Sequence, residues 1–64
     1  MRATYNVYLC GRNEPTFFAA DKWKKEGSCM LFYKVKDICG AKKEHLVVFF
    51  YENQVQGLVI EGVF

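Results

Sequence analysis

Polar and apolar side chains alternate with a period of two along most of this chain, and that rhythm limits what it can fold into. A β-strand points successive side chains to opposite faces, whereas a helix repeats every 3.6 residues or so. From Ala3 to Cys10, Tyr5, Val7 and Leu9 fall on one face and Thr4, Asn6 and Tyr8 on the other. From Cys29 to Lys36, Cys29, Leu31, Tyr33 and Val35 share a face, with Met30, Phe32, Lys34 and Lys36 opposite. His45 to Tyr51 is apolar on both sides, Leu46, Val48 and Phe50 one way and Val47, Phe49 and Tyr51 the other. A strand apolar on both faces is covered on both. Gln54 to Phe64 sets Val55, Val59 and Val63 on one side and Leu58, Ile60 and Phe64 on the other, with Gly57 and Gly62 as bulge or bend positions.

Turn signals punctuate these runs. Gly11 to Pro15 combines residues that tolerate positive φ with a proline that cannot continue a ladder. Glu26-Gly27-Ser28 reads as a turn, Glu52-Asn53 as a tight hairpin turn, and Asp37 to Lys43, with Gly40 inside it, as the longest loop. Residues 16–26 admit two readings. Thr16 to Ala19 fits a strand that continues after a bend through Asp21 to Lys25. A helix near 15–26 is the rival, capped by Asn13 or Thr16, started by Pro15 and ended by Gly27. Phe17, Phe18 and Trp23 form no single stripe at helical spacing, which favours the strand. The expected fold is all-β: one small domain, residues 1–64, an antiparallel meander of four to five strands curled into a barrel or a two-layer sandwich. The alternative is α+β, in the order βαβββ.

Size makes the apolar content informative. A chain of 64 residues buries only about 60% of the surface its unfolded form exposes. Hydrophobic residues make up 52% of this one and aromatics 17%, more than a small interior hides. The surplus implies cover from a second copy, with Val47, Phe49, Tyr51, Leu58, Ile60 and Phe64 as the self-association surface and a dimer or higher homo-oligomer as the state. The apolar last strand is expected at an edge or paired with another copy. Contact with a different protein through a free strand edge is the related possibility.

The net charge of +2 is unevenly spread. Residues 22–43 carry seven lysines against Glu26 and Asp37, a local charge of +5, and the remainder carries −3. Lysines interleaved with aromatics are what a single-stranded nucleic acid needs, cations for phosphates and flat rings for bases. Lys22, Trp23, Lys24, Lys25, Lys34 and Lys36 are the residues for such a surface, brought together by a hairpin over 16–36. The bland explanation is a set of solvated lysines that keep strand edges soluble.

Catalytic chemistry finds little support. Cys10, Cys29, Cys39 and His45 have the right atoms for zinc, but no pair sits on a C-x-x-C knuckle. Ser28 falls in a turn, His45 begins a strand, and the carboxylates are scattered singly. The five glycines are isolated and form no phosphate-binding loop. The expectation is a non-enzymatic protein with no metal and no cofactor. No leader-like segment and no membrane-length apolar run is seen, and three cysteines cannot all pair within one chain. These features point to a reducing, cytoplasmic setting.

Ala20-Asp21 through Gly27, then Leu31-Phe32-Tyr33, then Val47-Val48-Phe49, resembles short β-meander proteins of phage and prophage type. The resemblance spans roughly residues 17–60. It implies an all-β fold and a virus-derived accessory role, and it brings no catalytic residue. The function expected is an accessory or binding protein acting by self-association or protein contacts, with a nucleic-acid-binding small barrel as the alternative.

Overall fold

The computed structural model describes residues 2–63, and they form six β-strands and no α-helix. β1 (Ala3–Leu9), β2 (Thr16–Ala20), β3 (Lys22–Glu26), β4 (Cys29–Ile38), β5 (Ala41–Tyr51) and β6 (Val55–Val63) follow in order, with one 3-10 turn at Glu52–Gln54 between the last two. All pairing is antiparallel, in two three-stranded sheets ordered β2-β1-β6 and β3-β4-β5. The all-β expectation holds, with six strands in place of four or five. The meander order fails at both crossings between sheets, since β2 does not pair with β3 nor β5 with β6, and the first strand pairs with the last instead; Glu52-Asn53 is therefore not a hairpin turn but part of the 3-10 crossing between sheets. Among the described residues no strand ladder joins the two sheets, so they do not close into a barrel.

The helix considered near 15–26 is replaced by β2 and β3, which meet at a corner on Asp21. The Asp21 N–H donates to the Tyr33 carbonyl at 2.8 Å, and its carboxylate accepts the Val35 N–H at 2.6 Å. Arg2 Nε lies 3.5 Å from the same carboxylate. These contacts satisfy the backbone where one strand passes from the first sheet to the second. The alternating environments also explain the failed helical stripe. Phe18 and Trp23 turn toward Phe32, while Phe17 points out and is exposed.

Asp37 to Lys43 is not a loop. β4 and β5 run on as a hairpin whose turn is only Cys39-Gly40, with φ of 52° and 81°. Positive φ at both central residues is what a two-residue hairpin turn requires, and it matches the strand twist.

The inner faces of the two sheets meet in one core. Ala3, Tyr5, Val7 and Ala20 come from the first sheet, and Met30, Phe32 and Phe50 from the second. Leu9, Phe18, Val48, Val55 and Leu58 pack around them. Phe32 is fully buried, and four rings surround it: Phe18 at 4.8 Å, Tyr5 at 5.3 Å, Trp23 at 5.8 Å and Phe50 at 5.9 Å between centroids. Aromatic pairs in such tilted and edge-to-face arrangements contribute about 0.5–1.5 kcal/mol each beyond area burial.

Bulges change which residues share a face. Phe32 pairs with Val48 but Tyr33 pairs with Leu46, so Val47 is inserted. Leu46 thereby leaves the Val48 and Phe50 side expected for it and joins Phe49 on the outside, where Val47 is exposed as well. Two further irregularities in the β1–β6 ladder skip Gln56 and Glu61. They bring Val55 and Val63 to the side of Leu58 and Ile60 and leave Val59 on the other, unlike the simple alternation. Glu61 there accepts a hydrogen bond from Asn6 Nδ2 at 2.6 Å.

The molecule is flat and long, 43 × 26 × 12 Å in Cα extent. Its surface of 4604 Å² exceeds the roughly 4,200 Å² of a compact monomer of this mass. From Lys36 to Val47 the β4–β5 hairpin is exposed throughout and overhangs the core.

Two outcomes test this packing. Truncating Phe32 to Ala should cost about 3–5 kcal/mol, a third or more of the roughly 3–10 kcal/mol that 64 residues retain, read as a large fall in the urea midpoint. The Val35 N–H holds the Asp21 carboxyl below its ordinary pKa; partial burial opposes this and Arg2 adds to it. A depressed folded-state pKa gives stability that is present above the unfolded value and lost as pH falls through the folded one. Asp21→Asn should therefore lower the melting temperature at neutral pH and flatten the acid limb of the stability curve, measured by thermal melts from pH 7 down to about 2.

Candidate interaction surfaces

The β3-β4-β5 sheet has two unlike faces beyond its core. Register sets the outer one: Lys22, Lys24 and Glu26 from β3, Cys29, Leu31, Tyr33, Val35 and Asp37 from β4, and Tyr51, Phe49, Leu46, Glu44 and Lys42 from β5. Its centre is apolar. Phe49 and Tyr51 are half exposed and meet edge to face at 5.9 Å, Leu46 is 52% exposed, and half-buried Leu31 and Tyr33 lie beside them. Lys24 Nζ sits 5.4 Å from the Tyr33 ring centroid, a cation–π distance. The rim carries both signs, with Lys22 paired to Glu44 and Lys24 to Glu26 at 3.7 Å.

The inner face follows from Phe32. Because that ring enters the core, Lys34 and Lys36 stand on the same side two and four residues on. Register places His45 opposite Lys34 and Lys43 opposite Lys36. Trp23, opposite Phe32, shares this side; its ring stacks on Phe32 at 25° and stays 41% exposed. Lys25, opposite Met30, is also here and pairs with Glu52 at 3.0 Å.

The six residues expected to form one basic surface are therefore divided. Lys22 and Lys24 stand outside; Trp23, Lys25, Lys34 and Lys36 stand inside. Alternation within β3 makes this unavoidable, since neighbours in a strand cannot face the same way. Lys43 and His45 join the inner group, which no reading of 37–43 as a loop can show, because it is the hairpin register that brings them opposite Lys36 and Lys34. The expected self-association residues also separate. Val47, Phe49 and Tyr51 belong to the outer surface of the second sheet, whereas Leu58 packs on the core and Ile60 is exposed on the first sheet. Phe64 lies outside the described residues.

The remaining reactive groups do not converge. Cys39 is at the hairpin tip, while Cys29, at the far end of β4, is about 30 Å away along the strand. Among the described residues no three His, Cys, Asp or Glu side chains gather as a metal centre requires. No helix is long and apolar enough to cross a membrane. The shallow opening between the sheets is lined by Leu9, Cys10, Arg12, Thr16, Val48, Phe50 and Gln54, with no base or carboxylate beside the thiol.

No protein-family model, no curated protein and no solved structure matches this chain.

Thiol exposure checks the placement of β4. Cys10 and Cys39 are exposed and Cys29 is partly covered. A chromogenic disulfide reagent should titrate two thiols rapidly and the third slowly, with the slow one lost in Cys29→Ser.

Proposed function

We propose that this chain is a non-enzymatic accessory protein that works as a homo-oligomer, its copies meeting through the outer face of the β3-β4-β5 sheet. The supporting observation is the cluster of Leu46, Val47, Phe49 and Tyr51, all large, neighbouring and 38–52% exposed. Contiguous apolar surface on so small a protein marks a contact site. The charges around it favour a second copy as occupant. Lys22–Glu44 and Lys24–Glu26 already balance each other on the rim, so the face meets its own image without net repulsion. The inner face, with its uncompensated lysines, has no such freedom.

β5 adds a second reason. It is an edge strand of 11 residues, and its apolar half carries no charge between His45 and Glu52. Strand edges of this kind are normally blunted or covered. The inserted Val47 disturbs the edge, and a partner copy lying over the adjoining face would shield it. This reading fits the likeness to phage-type accessory proteins and a reducing location for three free thiols. It requires no cofactor.

Sedimentation equilibrium at micromolar concentration is the test. The native protein should sediment at twice 7.5 kDa or more, and Phe49→Glu should sediment at 7.5 kDa with an unchanged circular dichroism spectrum. A native protein at 7.5 kDa across that range, or an oligomer indifferent to Phe49→Glu, sinks the proposal.

A further inference from the structure

We infer that the inner face of the overhanging β4–β5 hairpin binds single-stranded nucleic acid, its lysines holding phosphates and Trp23 stacking on a base. The decisive feature is how the hairpin sorts its charges. Lys36 stands directly opposite Lys43, with Lys34 on the same face two residues before it. The Lys36–Lys43 pair sets like charges against each other, and such a pair destabilises an antiparallel ladder. Carboxylates were within reach to relieve them. The hairpin has two, Asp37 and Glu44, and both stand on the other face, Asp37 opposite Lys42 and Glu44 paired with Lys22. None of the four ion pairs among the described residues involves Lys34, Lys36 or Lys43. A hairpin charged only for solubility has no reason to keep one face balanced and the other wholly cationic.

The partner must be a polyanion, because repulsion along the ladder is relieved only by several negative charges in a row. Trp23 makes the choice among polyanions. It lies on the same side of the sheet, one ring face resting on Phe32, and remains 41% exposed. A fixed, half-exposed indole beside a row of lysines suits an unpaired base, whose π-face is free to stack. A duplex hides its base faces, and a lipid surface has none. The overhang leaves the ladder open to solvent, since Lys36, Lys43 and His45 are all exposed.

The chain has one tryptophan, so its fluorescence reports the site directly. Titration with an oligothymidylate at low salt should quench Trp23. Affinity should fall with salt at a slope near −2 in log K against log salt, from roughly 0.7 for each of three lysine–phosphate contacts on a single strand. Lys36→Glu separates binding from folding. It sets a carboxylate opposite Lys43, so the domain should melt no lower than the native protein while binding weakens about tenfold or more. Arg12→Gln removes a positive charge in the β1–β2 turn and should bind as the native protein does. Three results would overturn the assignment: no quenching at low salt, Lys36→Glu binding as well as Arg12→Gln, or equal binding to phosphatidylserine vesicles or to a duplex of the same length.

Discussion

Phe32 is the residue on which the rest of this fold depends. Its ring lies between two thin sheets and touches aromatic side chains from β1, β2, β3 and β5. Among the described residues seven make up the buried core, and of these Phe32, Val7 and Ala20 have no exposed surface at all. With so few interior positions, side chains must be large and must meet at specific angles to hold the layers in register. That demand explains the high aromatic content as well as self-association does for the part of it that is buried. It leaves Phe49, Tyr51 and Phe17 unexplained, since they contribute nothing to the interior.

Asp21 solves the second problem of a small two-sheet protein, which is how to pass from one layer to the other without abandoning backbone hydrogen bonds. Its N–H and carboxylate bind two β4 backbone groups two residues apart, so the corner is tied to the strand that runs beneath it. Buried or half-buried backbone groups need such partners. The β5-to-β6 crossing is tied down at each end, the Glu52 N–H donating to the Ser28 carbonyl within the second sheet and the Cys10 N–H to the Gln54 carbonyl within the first.

Two-residue alternation made β1, β4 and the apolar half of β5 legible, because each buries one parity and the register follows from it. The corner at Asp21 is legible only as a bend; what excludes the helix is that Phe18 and Trp23 both rest on Phe32 while Phe17 faces out. The hairpin tip was missed because Asp37 to Lys43 is polar, and polarity signals a loop unless the strand is overhanging and wet on both sides. Bulges were the deeper obstacle. One inserted residue reverses the parity of everything beyond it, so Leu46, Val55 and Val63 were assigned to the wrong faces although their strands were placed correctly. The candidate surfaces suffered most. A cluster of lysines in sequence is a statement about local charge, and only the register tells which of them face the same way.

The two three-stranded layers are filled between by aromatic rings, so what the described residues present to a partner is chiefly their outer faces and the overhanging hairpin. The second sheet is the one with faces to spare. Its outer side is apolar with a balanced rim, and its inner side is cationic once the first sheet ends. A homodimer formed on the outer side would leave both inner sides free, so that two lysine ladders and two indoles act on one polyanion. Linking two sites in this way raises avidity through effective concentration without any new contact. The Val47 bulge bears on both surfaces at once. It carries Leu46 to the apolar side and, by the same parity step, sets His45 opposite Lys34 and Lys43 opposite Lys36. Were Val47 paired in an unbroken ladder with Tyr33, Glu44 would stand on the inner face opposite Lys36, and neither surface would have its present character.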